Sequence, residues 1–425
     1  MEHKKMKTNY NLIIIELLIY ELLRGVYVNL IGSISLGDIM AIIMLPFVFR
    51  DIPFNNYPVL KKVTWLYLIY LGTQILSEIV IQNDLTNAIK GFAVTILSYI
   101  SVMYLFARLK DRLILIPYML FLEALNALIF MQSADIASSG MEFDMTSVAF
   151  FKFKIVPIIS NIVMVICYIL LKRGYKKATI LLLFSVVIFY IFKGSRSASL
   201  VLFLSASILL FSKYLILYKK SMPFLLCFFT IFIYMGYLLW ITNISSINSN
   251  SSEQVQRMSN IYNPFELLEQ GRTDVIVGMN AFTDKLMWGH GSWAMDKDMK
   301  YTYQMVKLTK GYVPQGYGRN SRTMPVPSHS VLIGAGVANG IFAFIAMSTL
   351  FLFFIKLGYR LIKGYLLTPF IAIVFYLIFQ LIWIFLFSPT SHLRQSLPFI
   401  FALMLVFSYQ VYRFKIRSIF YSLKI

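Results

Sequence analysis

The feature that most restricts this chain is the repetition of apolar runs, each about as long as a bilayer is thick. A helix needs about 20 mostly apolar residues to cross a hydrocarbon core of about 30 Å. Read at that length, the sequence holds about twelve such runs. They lie at roughly 11–31, 34–49, 63–82, 87–107, 113–132, 153–171, 177–193, 197–217, 222–241, 329–355, 365–387 and 395–412. Backbone groups in lipid must pair within their own segment, so runs of this length are helical. The expected fold is all-α: a polytopic transmembrane helix bundle of about 12 spans with one large extracytoplasmic helical loop. Residues 1–241 carry spans one to nine, 242–328 the loop, and 329–425 spans ten to twelve with a cytoplasmic tail.

Composition agrees. The chain is 59% hydrophobic and 14% charged, where a soluble domain averages about 45–50% and 25%. That excludes a soluble enzyme, which could not bury so much apolar surface, and a disordered chain. Lys4, Lys5 and Lys7 precede the first run, and no small-residue cleavage site follows, so that run is expected to remain as the first span. Cys167 and Cys227 both sit in apolar runs, with no disulfide framework or metal-ligand spacing.

The formal charge of +20 does not point to nucleic acid, because no basic module with its own core is present. Its distribution encodes topology instead. With the N-terminus inside, the inner segments carry clusters such as Arg108, Lys110 and Arg112, then Lys172, Arg173, Lys176 and Lys177, then Arg413, Lys415 and Arg417. The short outer connections hold only Lys90, Lys152, Lys154, Lys193, Arg196 and Arg394. Positive charge resists translocation, which places both termini in the cytoplasm. The long loop begins Ser/Asn-rich, then shows a helical pattern in which Val275, Ile276, Met279, Phe282 and Leu286 share a face after a break at Gly271. Such a helix would lie on the membrane surface or cap the bundle.

Four outer sites carry suggestive chemistry. Gly194-Ser195-Arg196-Ser197 opens span eight. A helix N-terminus there offers free amides, and Arg196 a two-pronged grip on phosphate. Arg272 stands at the start of the loop helix, where a cation is unfavourable unless an anion is near. Pro325-Val326-Pro327-Ser328-His329-Ser330 opens span ten. Ser328 is the expected N-cap and His329 the expected first-turn residue, where a neutral imidazole can accept a proton. Gly334, Gly336 and Gly340 follow, spaced for close helix approach. Pro389-Thr390-Ser391-His392-Leu393-Arg394 joins the last two spans, with Arg394 at a helix start. Each has a plainer reading: Arg196 snorkelling at the lipid interface, Arg272 a solvated charge, His329 an interfacial histidine, His392 and Arg394 structural. Their common sidedness favours chemistry. His290, His329 and His392 and all three helix-start arginines map outside.

At these residues the chain resembles the O-antigen polymerase and O-antigen ligase superfamily of bacterial envelope glycan assembly. Its members carry a Gly-Ser-Arg turn, matched by Gly194, Ser195 and Arg196. They carry an Arg heading a loop helix and a following Gly-x-Gly, matched by Arg272 and by Gly289 and Gly291 around His290. They carry a His-Asn pair before a glycine-spaced helix, matched by His329 with Ser330 in place of Asn. The resemblance implies glycosyl transfer from an undecaprenyl-diphosphate-linked oligosaccharide at the periplasmic face of the inner membrane. Arg196 and Arg272 then form a diphosphate clamp and His329 the base. Gly194, Ser195, Ser197, Gly289, His290, Gly291, Ser330 and Arg394 are expected to bind substrate. No metal or other cofactor is expected. Membrane lipids and a chain-length regulator protein are the further implied partners. Polymerase and ligase stay open, with the Lys, Ile, Asn, Phe and Tyr richness favouring polymerase by association. A transporter or flippase is the rival class. It would use mid-membrane charges, here Glu16, Glu21, Arg24 and Glu123, of which Glu21 and Arg24 can pair on one face. A reporter fused within residues 242–328 is expected to be exported; a cytoplasmic signal would overturn the topology.

Overall fold

A computed structural model describes residues 2–29, 32–130, 150–217, 234–235, 238, 260, 262–263, 266, 272–309 and 325–422. Nearly all of the expected ninth span, the Ser/Asn-rich stretch 244–252, Gly271 and Cys227 lie outside the described residues. The described fold is nearly all-α. Its elements are α1 (Glu2–Arg24), a hairpin of β1 (Tyr27–Asn29) and β2 (Ser33–Ser35), α2 (Leu36–Phe49), α3 (Pro58–Ile81), α4 (Leu85–Leu109) and α5 (Leu115–Ile129). A π turn (Phe151–Ile155) runs into α6 (Val156–Lys172), followed by α7 (Lys176–Phe192) and α8 (Arg196–Leu217). Then come α9 (Thr273–Asp284), α10 (Lys300–Leu308), α11 (Val331–Tyr365), α12 (Ile371–Phe387), α13 (His392–Gln395) and α14 (Leu397–Ser422). Five helices among the described residues are long and apolar enough to cross a membrane. The bundle is inverted in polarity relative to a soluble protein at its rim: on α3, Trp65, Leu76 and Ile79 are exposed. Its centre is α12 with the first half of α14, apolar on every side and enclosed.

The first expected span is corrected. It ends at Arg24, and Tyr27–Asn29 and Ser33–Ser35 pair as strands instead of continuing the helix. Arg24 is held by Glu21 at 2.8 Å, by Glu123 at 2.6 Å and by the Gln395 carbonyl at 2.6 Å. The Glu21–Arg24 pairing foreseen on one helix face is present, and Glu123 joins it. Glu16 pairs separately with Arg108. The network is compensated charge that ties α1, α5 and α13 together.

A break in α11 positions the rest of the chain. Asn339 and Gly340 leave helical geometry, Gly340 at φ 76°. Their freed neighbours find partners in the segment after α9. The Val337 and Ala338 carbonyls accept from the His290 and Gly291 amides at 2.8 Å, and the Ile341 amide donates to the Leu286 carbonyl at 2.8 Å. Glu78 of α3, buried, then accepts from the Ser292 amide at 2.8 Å, Asn339 Nδ2 at 3.0 Å and Asn83 Nδ2 at 2.7 Å. The glycine spacing read as helix–helix packing serves that role at Gly336, which faces Phe282 of the loop helix, while Gly334 faces Thr390 and Gly340 the Met287 carbonyl.

The loop helix α9 caps the bundle by packing on α11, as one of the two sequence expectations had it. The buried face is Val277, Gly278, Ala281 and Phe282; Met279 and Leu286 are exposed. The face is therefore rotated from the expected one, because Gly278 lets the Pro327 carbonyl approach and Phe282 stacks on Phe344. Burying Val277 and Phe282 stabilises the cap by about 1.5–3 kcal/mol each. A Cβ at Gly340 would sit 2.1 Å from the Met287 carbonyl oxygen. Gly340→Ala is expected to cost roughly 2–4 kcal/mol, read as a lowered melting temperature and protease cleavage within 286–309. Unchanged melting would show that this contact does not hold the cap.

Candidate functional site

Two arginines distant in sequence lie within Coulomb reach of one another. Gly194 at φ 75° ends α7 in a tight turn: the Ser195 amide donates to the Tyr190 carbonyl at 2.9 Å and the Gly194 amide to the Ile191 carbonyl at 3.1 Å. The chain re-enters a helix at once, so Arg196 stands in the first turn of α8 with Ser197 beside it, half-buried. Arg272 caps the start of α9. Its guanidinium carbon lies 4.9 Å from the Trp383 ring and 5.3 Å from the Phe387 ring, and Nη1 donates to the Phe387 carbonyl at 3.2 Å. Stacking on two aromatic faces of α12 fixes the guanidinium plane while leaving N–H groups for a ligand. Burial holds the Arg272 guanidinium below its ordinary value, against the opposing pull of Asp274. Arg196 lies in the Coulomb field of Arg272.

Lys152, on the π turn, lies in the field of both arginines. In the sequence it is one of the few cations of the short outer connections. Like charges within one another's field repel, and a buried guanidinium loses hydration besides. Groups perturbed in this way cluster at functional sites.

His329 is brought to the same place, by a route other than the expected one. The N-cap of α11 is Ser330, which accepts from the Ile333 amide at 3.2 Å and donates to the Phe385 carbonyl at 2.9 Å. His329 therefore precedes the helix, and the expectation of Ser328 as cap is corrected: Ser330 engages the free amide because the chain between Pro327 and Val331 follows the end of α12. What acts on His329 is Asp274, whose Oδ2 lies 3.3 Å from Nδ1. Asp274 was legible as an acid in the first turn of a helix, where such residues are common; nothing in the sequence paired it with residue 329. The contact turns Nδ1 to the carboxylate and leaves Nε2 available. Two buried oxygens at these segments, Ser195 Oγ and Asp274 Oδ1, have no hydrogen-bond partner among the described residues.

Other expected substrate-binding residues are placed elsewhere. Gly289 at φ 74° and Gly291 at φ 94° fit against the Ala338 backbone and Asn83. His290 Nε2 donates to the Ala281 carbonyl at 2.9 Å, and burial holds its imidazole below the ordinary value. These three form the latch between loop and α11. Arg394, in α13, lies 3.8 Å from Asp38, which gives it an acid partner within the bundle. Ser330 serves the cap. The structure thus brings His329 against Asp274, two residues from Arg272, with Arg196 and Lys152 within Coulomb reach of Arg272. Compared with known proteins, the sequence matches no protein-family model and no curated protein.

Proposed function

We propose that this chain is a bacterial inner-membrane glycosyltransferase of the O-antigen polymerase type. It has about 12 spans, both termini in the cytoplasm, and its loop and reaction site in the periplasm. It joins undecaprenyl-diphosphate-linked repeat units. The reading is supported by one arrangement: Arg272, stacked on Trp383 and Phe387, stands two residues from Asp274, which lies 3.3 Å from His329 Nδ1.

The chemistry follows from charge. The bond from the sugar C1 to the diphosphate oxygen breaks, and its electron pair stays on that oxygen. The diphosphate, a diester carrying two negative charges, becomes a monoester with a third. Guanidinium groups already in place stabilise that growing charge more than the ground state. The acceptor hydroxyl attacks C1 from the opposite side, inverting it, and its proton passes to His329 Nε2. Asp274 holds the ring for this and stabilises the imidazolium that forms. A base so placed contributes about 10²–10⁴-fold. The orphaned Ser195 hydroxyl is a donor suited to a phosphate oxygen.

The test is reaction of the purified protein with a lipid-diphosphate repeat unit, with and without lipid A-core. A ladder without core supports the polymerase. Product only with core makes the chain a ligase, and no transfer in either case rejects both. Arg272→Lys is expected to lose most activity, because a point charge cannot stack on Trp383 and grip two oxygens together; normal polymer length in that variant would remove the clamp. His329→Ala is expected to bind donor and fail to transfer, and full turnover would reassign the base.

A further inference from the structure

We infer that residues 286–288 form a re-entrant wedge. They enter the lipid leaflet between the C-terminal end of α3 and the break of α11, with the Leu286 and Met287 side chains against hydrocarbon. The inference stands on α3 and α11 as helices long and apolar enough to cross a membrane. It is independent of the glycosyl-transfer reading.

The depth follows from the cations that end each helix. Crossing the hydrocarbon takes about 20 residues. On α3 that length starts after Lys61 and Lys62, at Val63, and ends near Gln82. On α11 it starts from the opposite end, before Lys356, and runs back to about Gly336. Ser77 of α3 and the Asn339–Gly340 break of α11 both lie inside these limits. The segment after Lys285 touches both. Ser77 Oγ donates to the Trp288 carbonyl at 2.5 Å, and the Ile341 amide donates to the Leu286 carbonyl at 2.8 Å. Between them, the Met287 carbonyl lies where a Cβ at Gly340 would be. The wedge is therefore as deep as the last turns of α3.

Irregular backbone is tolerated at that depth only where protein answers its polar groups. Here the Leu286 and Trp288 carbonyls have protein donors, and the Gly289 amide donates to the Lys285 carbonyl at 2.8 Å. The side chains instead face outward: Leu286 is 45% exposed and Met287 53%. The surfaces on either side are of the same kind. Leu76 and Ile79 of α3 and Phe342 and Ile345 of α11 are exposed, and the Trp288 ring lies 5.8 Å from that of Phe342. An apolar surface continuous with two such helices, at the same depth, is covered by the same lipid chains. Trp is the residue favoured at the boundary between hydrocarbon and headgroups. Lys285, exposed just before the wedge, has the stem to carry its ammonium to the headgroup layer. The latch between loop and α11 is thereby held in the bilayer.

The test uses nitroxide spin labels on the full-length protein in lipid nanodiscs, attached to single cysteines in a Cys167→Ser, Cys227→Ser background. Met287→Cys carries the probe. Ile345→Cys, exposed on α11, is the lipid reference, and Thr283→Cys, exposed on α9, is the water reference. Relaxation by oxygen, which concentrates in hydrocarbon, is compared with relaxation by a water-soluble nickel chelate. The label at 287 is expected to follow the one at 345: strong relaxation by oxygen and loss of the nickel effect seen at 283. Nickel relaxation at 287 equal to that at 283 overturns the wedge. Shielding of 287 from both reagents means that protein covers it, a second copy or another part of this chain, and overturns the wedge equally. Nickel relaxation at 345 removes α11 as a span and the premise with it. Leu286→Cys carries the probe if the Met287 variant melts early.

Discussion

The break in α11 at Asn339 and Gly340 is the constraint on which the capped end of the molecule depends. A helix that opens inside an apolar bundle exposes amides and carbonyls that lipid cannot satisfy. Here those groups are taken up by residues 286–291, and Glu78 of α3 gathers the same segment from the other side. The exchange makes the loop part of the bundle. Because the latch lies at the C-terminal end of α9 and Phe282 seats on Gly336, the N-terminal end of α9 is aimed along α11 toward its start. That is how Asp274 reaches His329, and how Arg272 reaches the end of α12.

Two charged regions of the molecule obey different rules. Around Arg24, charge is compensated: acids and a carbonyl saturate the guanidinium, and the result is rigidity. Around Arg272, a second guanidinium lies within Coulomb reach, and Asp274 stands between a guanidinium and an imidazole. Aromatic faces and a carbonyl hold Arg272 in place without neutralising it. A group fixed in position but left charged is what stabilisation of a developing anion requires, since no reorganisation is then needed as charge moves. The contrast separates a structural ion network from a candidate reaction site within one chain.

Much of the framework was legible from the residues alone. Apolar runs 63–82, 87–107, 177–193 and 197–217 correspond within a few residues to α3, α4, α7 and α8, because hydropathy over 20 residues is a local sum that lipid enforces directly. Arg196, Arg272 and His329 were legible as helix-end residues because their neighbours are a glycine turn, a helix start and a proline-stopped segment. The Gly-x-Gly at 289–291 was legible as a special turn but not as a latch, since its partners lie at Asn83 and Ala338.

By itself, then, the order of residues determined that this is a helical membrane-type chain with cations at its connections. Only the tertiary structure decided that Arg394 has Asp38 for company, that Arg272 stacks on Trp383 and Phe387, and that His329 answers to Asp274 and not to a helix terminus. The reason is the range of the forces. Backbone satisfaction and hydropathy act within one segment, whereas a shared electrostatic field exists only after separate segments have been folded against a common wall.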